Sequence, residues 1–449
     1  MKREETKSLI NYIQNFVSIF VELAVFAYIW YIYYAHSIQI QFYRRGNWAV
    51  IGLFVLIMYF FTRSFGGYHT SLIRMSDAML SHSLAIIFCY VVEYFVVCLI
   101  TREYINPAPI LIGMGITLVV VNAWQIIIKK IYHMLCPPHE MLLIYGDREQ
   151  DVFLEKLAYH EDKYNVKKQI KYDIDETRLI NMLPDYNAVL LYDLPADDRN
   201  RILKICYTRA IRVYITPKIS DIIFRGADDI HLLDAPLFLA RNCGLSIGQR
   251  FVKRVIDVVL SLVGLIILSP LFLLLAIAIK CYDRGPVFYK QTRMTLGGHD
   301  FLMYKFRSME VEAEGNGARL AAKNDDRVTP IGKVIRNIHV DELPQLFNVL
   351  KGDMSIVGPR PERREIAEEY TKDIAEFNFR TKVKAGLTGF AQVYGKYNTL
   401  PYDKLKMDLM YIENYSLWLD IKILLLTVKV LFRPEHTEGV DENQRTAVK

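Results

Sequence analysis

Four apolar stretches open the chain, at residues 11–35, 47–62, 81–100 and 107–128. Each is near the length a helix needs to cross a bilayer, although the second is short. Cations gather between them. Lys2, Arg3 and Lys7 precede the first stretch, Arg63 and Arg74 separate the second from the third, and Lys129 and Lys130 follow the fourth. The alternate connections hold Arg44, Arg45 and Arg102. Seven cations against three predict an N-terminus on the inner side and a return to that side after residue 128. Trp30, Trp48 and many tyrosines near the ends suit interfacial belts. Glu22 and Glu93 lie within the spans. Acids there are either functional or bonded between helices, and the second reading is preferred because no ion pathway is otherwise suggested.

The pattern changes at "CPPHE", residues 136–140. Short apolar runs now alternate with amphipathic ones. Strands are predicted at "MLLIYG", "YNVKKQIKY", "NAVLLYD" and "IRVYIT". Helices are predicted at "QDVFLEKLAYH", "ETRLINML" and "DDRNRILKICYTRA". This alternation predicts a small parallel α/β domain over residues 136–250. A dinucleotide fingerprint would need G-x-G-x-x-G after the first strand, and "YGDREQD" offers only Gly146. Nicotinamide binding is therefore discounted, and with it a membrane-bound dehydratase or epimerase. A regulatory or dimerising role suits the domain better.

A fifth apolar segment, residues 253–280, is interrupted near its middle by Ser269-Pro270. Proline removes a backbone donor and bends a helix, and a serine hydroxyl helps satisfy the freed carbonyl. A plain kinked crossing would put everything after residue 280 on the far side of the membrane. A re-entrant helix would keep both flanking domains inside. Lys253 and Arg254 at one end and Lys280 and Arg284 at the other favour re-entry.

Beyond residue 285 the chain is dense in charge. "GPVFYKQTRMTLGGHDFLMYKFRSM" predicts a hairpin, with Met303, Lys305, Arg307 and Met309 on one face of its second strand. Residues 310–328 read as a mobile polar loop, and "PIGKVIRNI" as a short helix. Glycines 386, 389 and 395 offer close backbone approach to a ligand, or simple turns. The last helical stretch carries Asp408, then Lys422 and Lys429 seven residues apart with Trp418 beside them. It suits an amphipathic helix on a membrane surface or a helix packed on the domain core.

The 449 residues are 52% hydrophobic with a net charge of +6, too mild to argue for nucleic acid but suited to anionic lipid or phosphorylated substrates. Six scattered cysteines without a CxxC pair read as reduced thiols.

The chemistry concentrates in "HVDELPQLFNVLKGDMSIVGPRPE", residues 339–362. Asp341 and Glu342 are predicted at a helix start with Pro344 in the first turn. Neighbours on a helix diverge by about 100°, so the two acids suit two tasks at one site. A helix start favours their charge and also a phosphate. An ionised aspartate is a usable nucleophile toward phosphorus, and a glutamate is a hard ligand for Mg²⁺. Lys305, Arg307, Arg336 and Arg360 are candidates to hold phosphates. Pro359 and Pro361 make a rigid turn that projects Arg360. Taken singly, the acid pair reads as a helix cap and the basic strand as a solvated face. Their occurrence together, after a membrane segment, favours a site.

"KFRSM", "DELPQLFNVLKGDMSIVGPRP", "KAGLTGFAQVYG" and the Ser-Pro-broken helix together resemble the bacterial polyprenyl-phosphate phosphoglycosyl transferases with a monotopic catalytic domain. The likeness covers about residues 250–433. The preceding segments resemble the large subfamily that begins exopolysaccharide, capsule or O-antigen units. The implied architecture is a four-helix transmembrane bundle (1–135), a degenerate Rossmann-like α/β domain (136–250) and an α+β catalytic domain (251–449) with a re-entrant helix at 253–280 and interfacial helices. The implied reaction moves a sugar-1-phosphate from a UDP-sugar to undecaprenyl phosphate and releases UMP, at the cytoplasmic face of the inner membrane among its lipids. Glucose or galactose is the favoured sugar. The resemblance makes Asp341 the nucleophile and associates Glu342 with Mg²⁺. It maps Lys305, Arg336, Arg360 and Asp408 onto family site positions, and Ser269 and Pro270 onto the re-entrant kink. A homodimer through the α/β domain is a further expectation, and a non-catalytic scaffold is the remaining rival.

Overall fold

The computed structural model describes residues 2–36, 38, 45–69, 74–148, 150–158, 163–232, 235–240, 244–310, 327–396 and 399–431. The polar loop expected to be mobile falls mainly on residues 311–326, outside the described residues. The chain divides into two compact units, residues 1–217 and 218–449.

The first unit begins with four long helices, α1 (Lys2–Ile29), α2 (Gly46–Ser64), α3 (Met75–Thr101) and α4 (Ala108–Leu135). Trp30–Tyr34 continues α1 as a π-helical turn. All four are long and apolar enough to cross a membrane, and with them the protein is a membrane protein with an N-terminal helical bundle. Aromatic packing locks the bundle. Phe26 and Phe54 stack with centroids 4.1 Å apart, and Tyr90 meets Phe54 edge-on at 5.5 Å. Polar pairs cross between helices: Gln14 donates to Gln125 at 2.7 Å, and the Tyr90 and Thr117 hydroxyls lie 2.8 Å apart. Glu22 and Glu93 are buried in this interior. The inter-helix hydrogen bond preferred from the sequence is not made by Glu93, whose two carboxyl oxygens have no hydrogen-bond partner among the described residues.

The alternating segment follows as β1 (His139–Tyr145), α5 (Asp151–Ala158), β2 (Tyr164–Lys171), α6 (Glu176–Met182), β3 (Ala188–Tyr192), α7 (Ala196–Thr208) and β4 (Arg212–Ile215). The strands form one parallel sheet in the order β2-β1-β3-β4. Its two central strands are the most apolar, as burial on both faces requires. Gly146 serves close packing, for a Cβ there would lie 2.1 Å from the Asp193 carbonyl oxygen.

The second unit starts earlier than residue 251. Helix α8 (Ile219–Arg225) and the hairpin β5 (Asp228–Leu232) and β6 (Ala235–Leu239) belong to it. Ile219, Ile222 and Leu245 are buried in the same core as Met303, Met354 and Leu409. The sequence expectation carries the α/β domain on to residue 250 and so includes these residues. Their apolar side chains nonetheless pack on the other unit.

Helix α9 (Ile247–Asp283) begins with a reciprocal cap between Ser246 and Gln249 and ends at Arg284 in a left-handed conformation. It passes through Pro270. The proline ring leaves the Ile266 carbonyl without its usual donor, and the Ser269 hydroxyl takes that carbonyl at 2.8 Å. Lys253, Asp257 and Ser261 form a buried polar stripe at a spacing of one turn, while Phe251, Val255, Val259, Leu262 and Ile266 are exposed.

The rest of the unit comprises β7 (Phe288–Met294), β8 (Asp300–Phe306), α10 (Pro330–Asn337), α11 (Gln345–Lys351), β9 (Ser355–Val357), α12 (Arg364–Asp373), β10 (Gly386–Thr388), α13 (Phe390–Tyr394), α14 (Pro401–Glu413) and α15 (Leu417–Leu431). β7 and β8 make the expected antiparallel hairpin, and β9 and β10 a short parallel pair. Of the two readings of α15, packing on the core is formed: Ile423 and Leu426 are buried in it, and so is Lys429, expected beside Lys422 on a polar face.

Candidate active site

The acid pair does not sit in the first turn of an α-helix. His339 adopts a left-handed conformation (φ 55°) and turns the chain into a single 3₁₀ turn, Val340–Glu342. Pro344 then precedes the seven-residue α11. The helix-terminus field that the sequence suggested is therefore not aligned on these acids. Side chains from β8, α10 and the Pro-Arg-Pro turn set their charge instead.

Glu342 is clamped. The Lys305 ammonium, from the end of β8, donates to its Oε1 at 2.7 Å. The Arg360 guanidinium grips both oxygens, Nη2 to Oε1 at 2.6 Å and Nη1 to Oε2 at 3.2 Å. Burial opposes the charge, but Arg360 and Lys305 outweigh it and hold the Glu342 carboxyl well below the usual range. Asp341 is 9% exposed, and no side chain among the described residues hydrogen-bonds to it. Burial and the Glu342 charge push its carboxyl up, against the pull of Lys305, Arg336 and His339. One acid is therefore fixed by two cations, and its neighbour is left open within their field.

The turn that carries Arg360 is held through its backbone. The Pro359 carbonyl accepts from Gly386 N at 2.8 Å, the Arg360 carbonyl from Arg380 at 2.9 Å and the Pro361 carbonyl from Arg293 at 3.3 Å. The glycines of "KAGLTG" allow close approach of the Gly358 backbone. A Cβ on Gly386 would lie 2.1 Å from Gly358 N, and one on Gly389 2.1 Å from the Gly358 carbonyl oxygen. Gly389→Ala is expected to cost about 1–3 kcal/mol through overpacking. A thermal melt of the purified protein checks this, and an unchanged midpoint would mean the backbones can separate freely.

Two expected site residues go elsewhere. Arg307 is 7% exposed and pairs with Asp283 at the end of α9. It lies just past β8, where the hairpin ends and strand alternation no longer governs direction. Asp408, 1% exposed on α14, pairs with Arg380 at 2.7 Å and reaches the turn only through that arginine. Four residues missed in the sequence complete the surroundings. Glu362 accepts from Lys404 at 2.6 Å and Arg380 at 3.5 Å, and Arg293 lies 3.8 Å away. Burial works against the Glu362 charge, yet Lys404, Arg380 and Arg293 hold its carboxyl down at about 2. No short-range pattern links residues 293, 362, 380 and 404, so only the folded chain reveals the set.

Mg²⁺ usually takes one or two carboxylates together with phosphate and water oxygens. The acid pair fits that need. Asp341 is open, and Glu342 Oε2 accepts one hydrogen bond where Oε1 accepts two. Among the described residues no group of three or more His, Cys, Asp or Glu forms a complete protein cage.

The family described as bacterial sugar transferase matches residues 248–434. A UDP-N-acetylgalactosamine-undecaprenyl-phosphate N-acetylgalactosaminephosphotransferase of Aeromonas hydrophila is 38% identical over 57% of this chain and 62% of its own length. A UDP-glucose:undecaprenyl-phosphate glucose-1-phosphate transferase of Xanthomonas campestris pv. campestris is 39% identical, over 57% of this chain and 56% of its own. One of the same name from Caulobacter vibrioides is 42% identical over 41% of this chain and 71% of its own. The chain thus spans somewhat over half the length of the first two relatives. With the acid pair, the basic strand end and the Pro-Arg-Pro turn inside the matched region, the chain belongs to the bacterial sugar transferase family, the polyprenyl-phosphate phosphoglycosyl transferases.

Proposed function

We propose that this protein moves a hexose-1-phosphate from a UDP-sugar to undecaprenyl phosphate and releases UMP, as the first membrane step of exopolysaccharide, capsule or O-antigen synthesis. The observation that carries the reading is the open Asp341 beside a Glu342 held by Lys305 and Arg360. A carboxylate oxygen of Asp341 attacks the β-phosphorus. The bond between that phosphorus and the bridging oxygen breaks, and UMP leaves with the electron pair. The sugar phosphate is then an acyl phosphate on Asp341. A phosphate oxygen of the lipid attacks the same phosphorus, which frees the carboxylate and forms the lipid diphosphate sugar.

Arg336 and Arg360, with Lys305, neutralise charge on the transferring phosphate. Asp341 and Glu342 would hold Mg²⁺, which supplies charge neutralisation on the diphosphate. Asp408 supports the site from behind through Arg380. Relatives are named for glucose, galactose and N-acetylgalactosamine, which supports a UDP-hexose donor, and glucose or galactose is our reading.

The same reading places the second unit at the cytoplasmic face of the inner membrane, with α9 re-entrant. Both halves of α9 pack on this unit, the first through Lys253 to Asp420 and the second through Leu275 and Ile279 to Phe306 and Ile335. A homodimer through the α/β sheet belongs to the proposal too.

Donor alone tests the covalent step. Purified protein mixed with a UDP-sugar should release about one equivalent of UMP and gain the mass of one sugar phosphate, and undecaprenyl phosphate should then restore turnover. UMP release that needs the lipid from the first equivalent would point to direct transfer.

A further inference from the structure

Beside the Pro-Arg-Pro turn lies a partly buried charge network with no direct role in the chemistry above. Glu362 is its centre, with Arg293 from β7, Arg380 and Lys404 from α14 around it. Two of these arginines also grip successive carbonyls of the turn, Arg380 that of Arg360 and Arg293 that of Pro361. Arg380 is braced by Asp408, which lies 2.7 Å from the same Nη2 that reaches the Arg360 carbonyl, and Arg293 by Gln291 at 2.6 Å. The two clasps therefore share one carboxylate as a common anchor. The residue they hold, Arg360, is the one whose side chain forks onto Glu342. The displacement of one carbonyl would move that guanidinium off the acid pair.

We propose that Glu362 and Arg380 are positioning residues for sugar-phosphate transfer: they fix the backbone of Arg360 so that its guanidinium meets Glu342 and the transferring phosphate. This rests on the transferase reading. Arginine is required at 380 because one planar fork must reach a carbonyl and two carboxylates, Glu362 and Asp408, at once. A lysine keeps the charge and loses the span.

The test measures adduct formation from donor alone for Arg380→Lys, Arg360→Lys and the double variant. Each single change is expected to slow the step about 10- to 100-fold, the loss that small misplacement brings. The double variant should be about as slow as Arg360→Lys alone, since one residue acts through the other. The time course of adduct formation at saturating donor gives a second readout. A misplaced Arg360 guanidinium lowers the first-order rate constant and leaves the final yield of adduct near one equivalent. A simple loss of folded protein would lower that yield and leave the rate constant in place.

Asp408→Asn carries the same test with the side-chain shape preserved, and is expected to lower the same rate constant with the adduct yield unchanged. Arg364→Lys, at a surface pair with Asp300, should behave as wild type. Additive losses, an unchanged rate constant, or unfolding of both Arg380→Lys and Asp408→Asn would overturn the positioning role. No adduct in the wild type would instead refute the transferase reading beneath it.

Discussion

Asp341→Asn is expected to lower transfer by about 10⁴-fold or more while the protein still folds and inserts. The amide fills the same volume, and no hydrogen bond to the Asp341 side chain is lost among the described residues. What disappears is an oxygen able to bond to phosphorus and leave again. Removal of the carboxyl also relieves the repulsion that Glu342 exerts on it. Stability should therefore be unchanged or slightly raised, which separates a chemical loss from a folding defect. Three measurements check this together: UMP release, intact mass after incubation with donor, and the thermal midpoint. Substantial turnover in the variant would remove Asp341 from the role of nucleophile. Loss of the midpoint along with activity would make its role structural.

The features legible in the sequence are those set by local pattern. The apolar spans, the alternation that builds the parallel sheet and the β7–β8 hairpin follow from period and length, and the structure has each of them. The expected bond from the Ser269 hydroxyl to a carbonyl freed by Pro270 is present for a similar reason. The freed carbonyl is four residues before the proline, and a neighbouring hydroxyl is the nearest donor. Failures begin where direction depends on tertiary contact. Arg307 shares a strand face with Lys305 by alternation, yet it sits past the end of β8, where Asp283 draws it to α9. The acids look like a helix start because Pro344 follows them, but the left-handed His339 inserts a separate turn. That conformation at a non-glycine residue has no reliable sequence signal. Glu362 adjoins the Pro-Arg-Pro turn in sequence and still gives no sign of its role. Its partners come from positions 18 to 69 residues away, and only the fold brings three cations to one acid.

The same logic predicts where the second unit is most easily broken. Lys253, near the start of α9, donates to Asp420 of α15 at 2.6 Å, and both side chains are at most a tenth exposed. The Tyr411 hydroxyl completes the other Asp420 oxygen at 2.8 Å, and the ammonium lies 5.5 Å from the centre of the Tyr415 ring. One turn along α9, Asp257 accepts from Ile356 N in β9. Asp420→Ala would leave an ammonium in a space that water hardly reaches, with its hydrogen-bond partner gone. Such a change costs about 3–5 kcal/mol, more than the pair itself contributes against an apolar replacement. For a unit of this size the midpoint should fall by about 6–20 °C. Asp420→Asn keeps an acceptor for Tyr411 and should cost less. Lys253→Met with Asp420→Leu removes both charges and should recover most of the loss. That recovery is the discriminating result, because it attributes the damage to the stranded cation rather than to lost packing. A double variant as unstable as Asp420→Ala would mean that the pair holds α9 in register through geometry alone. The site would then feel it too, since the neighbouring Arg254 donates to the Val349 and Leu350 carbonyls at the end of α11, the helix that follows the acid pair.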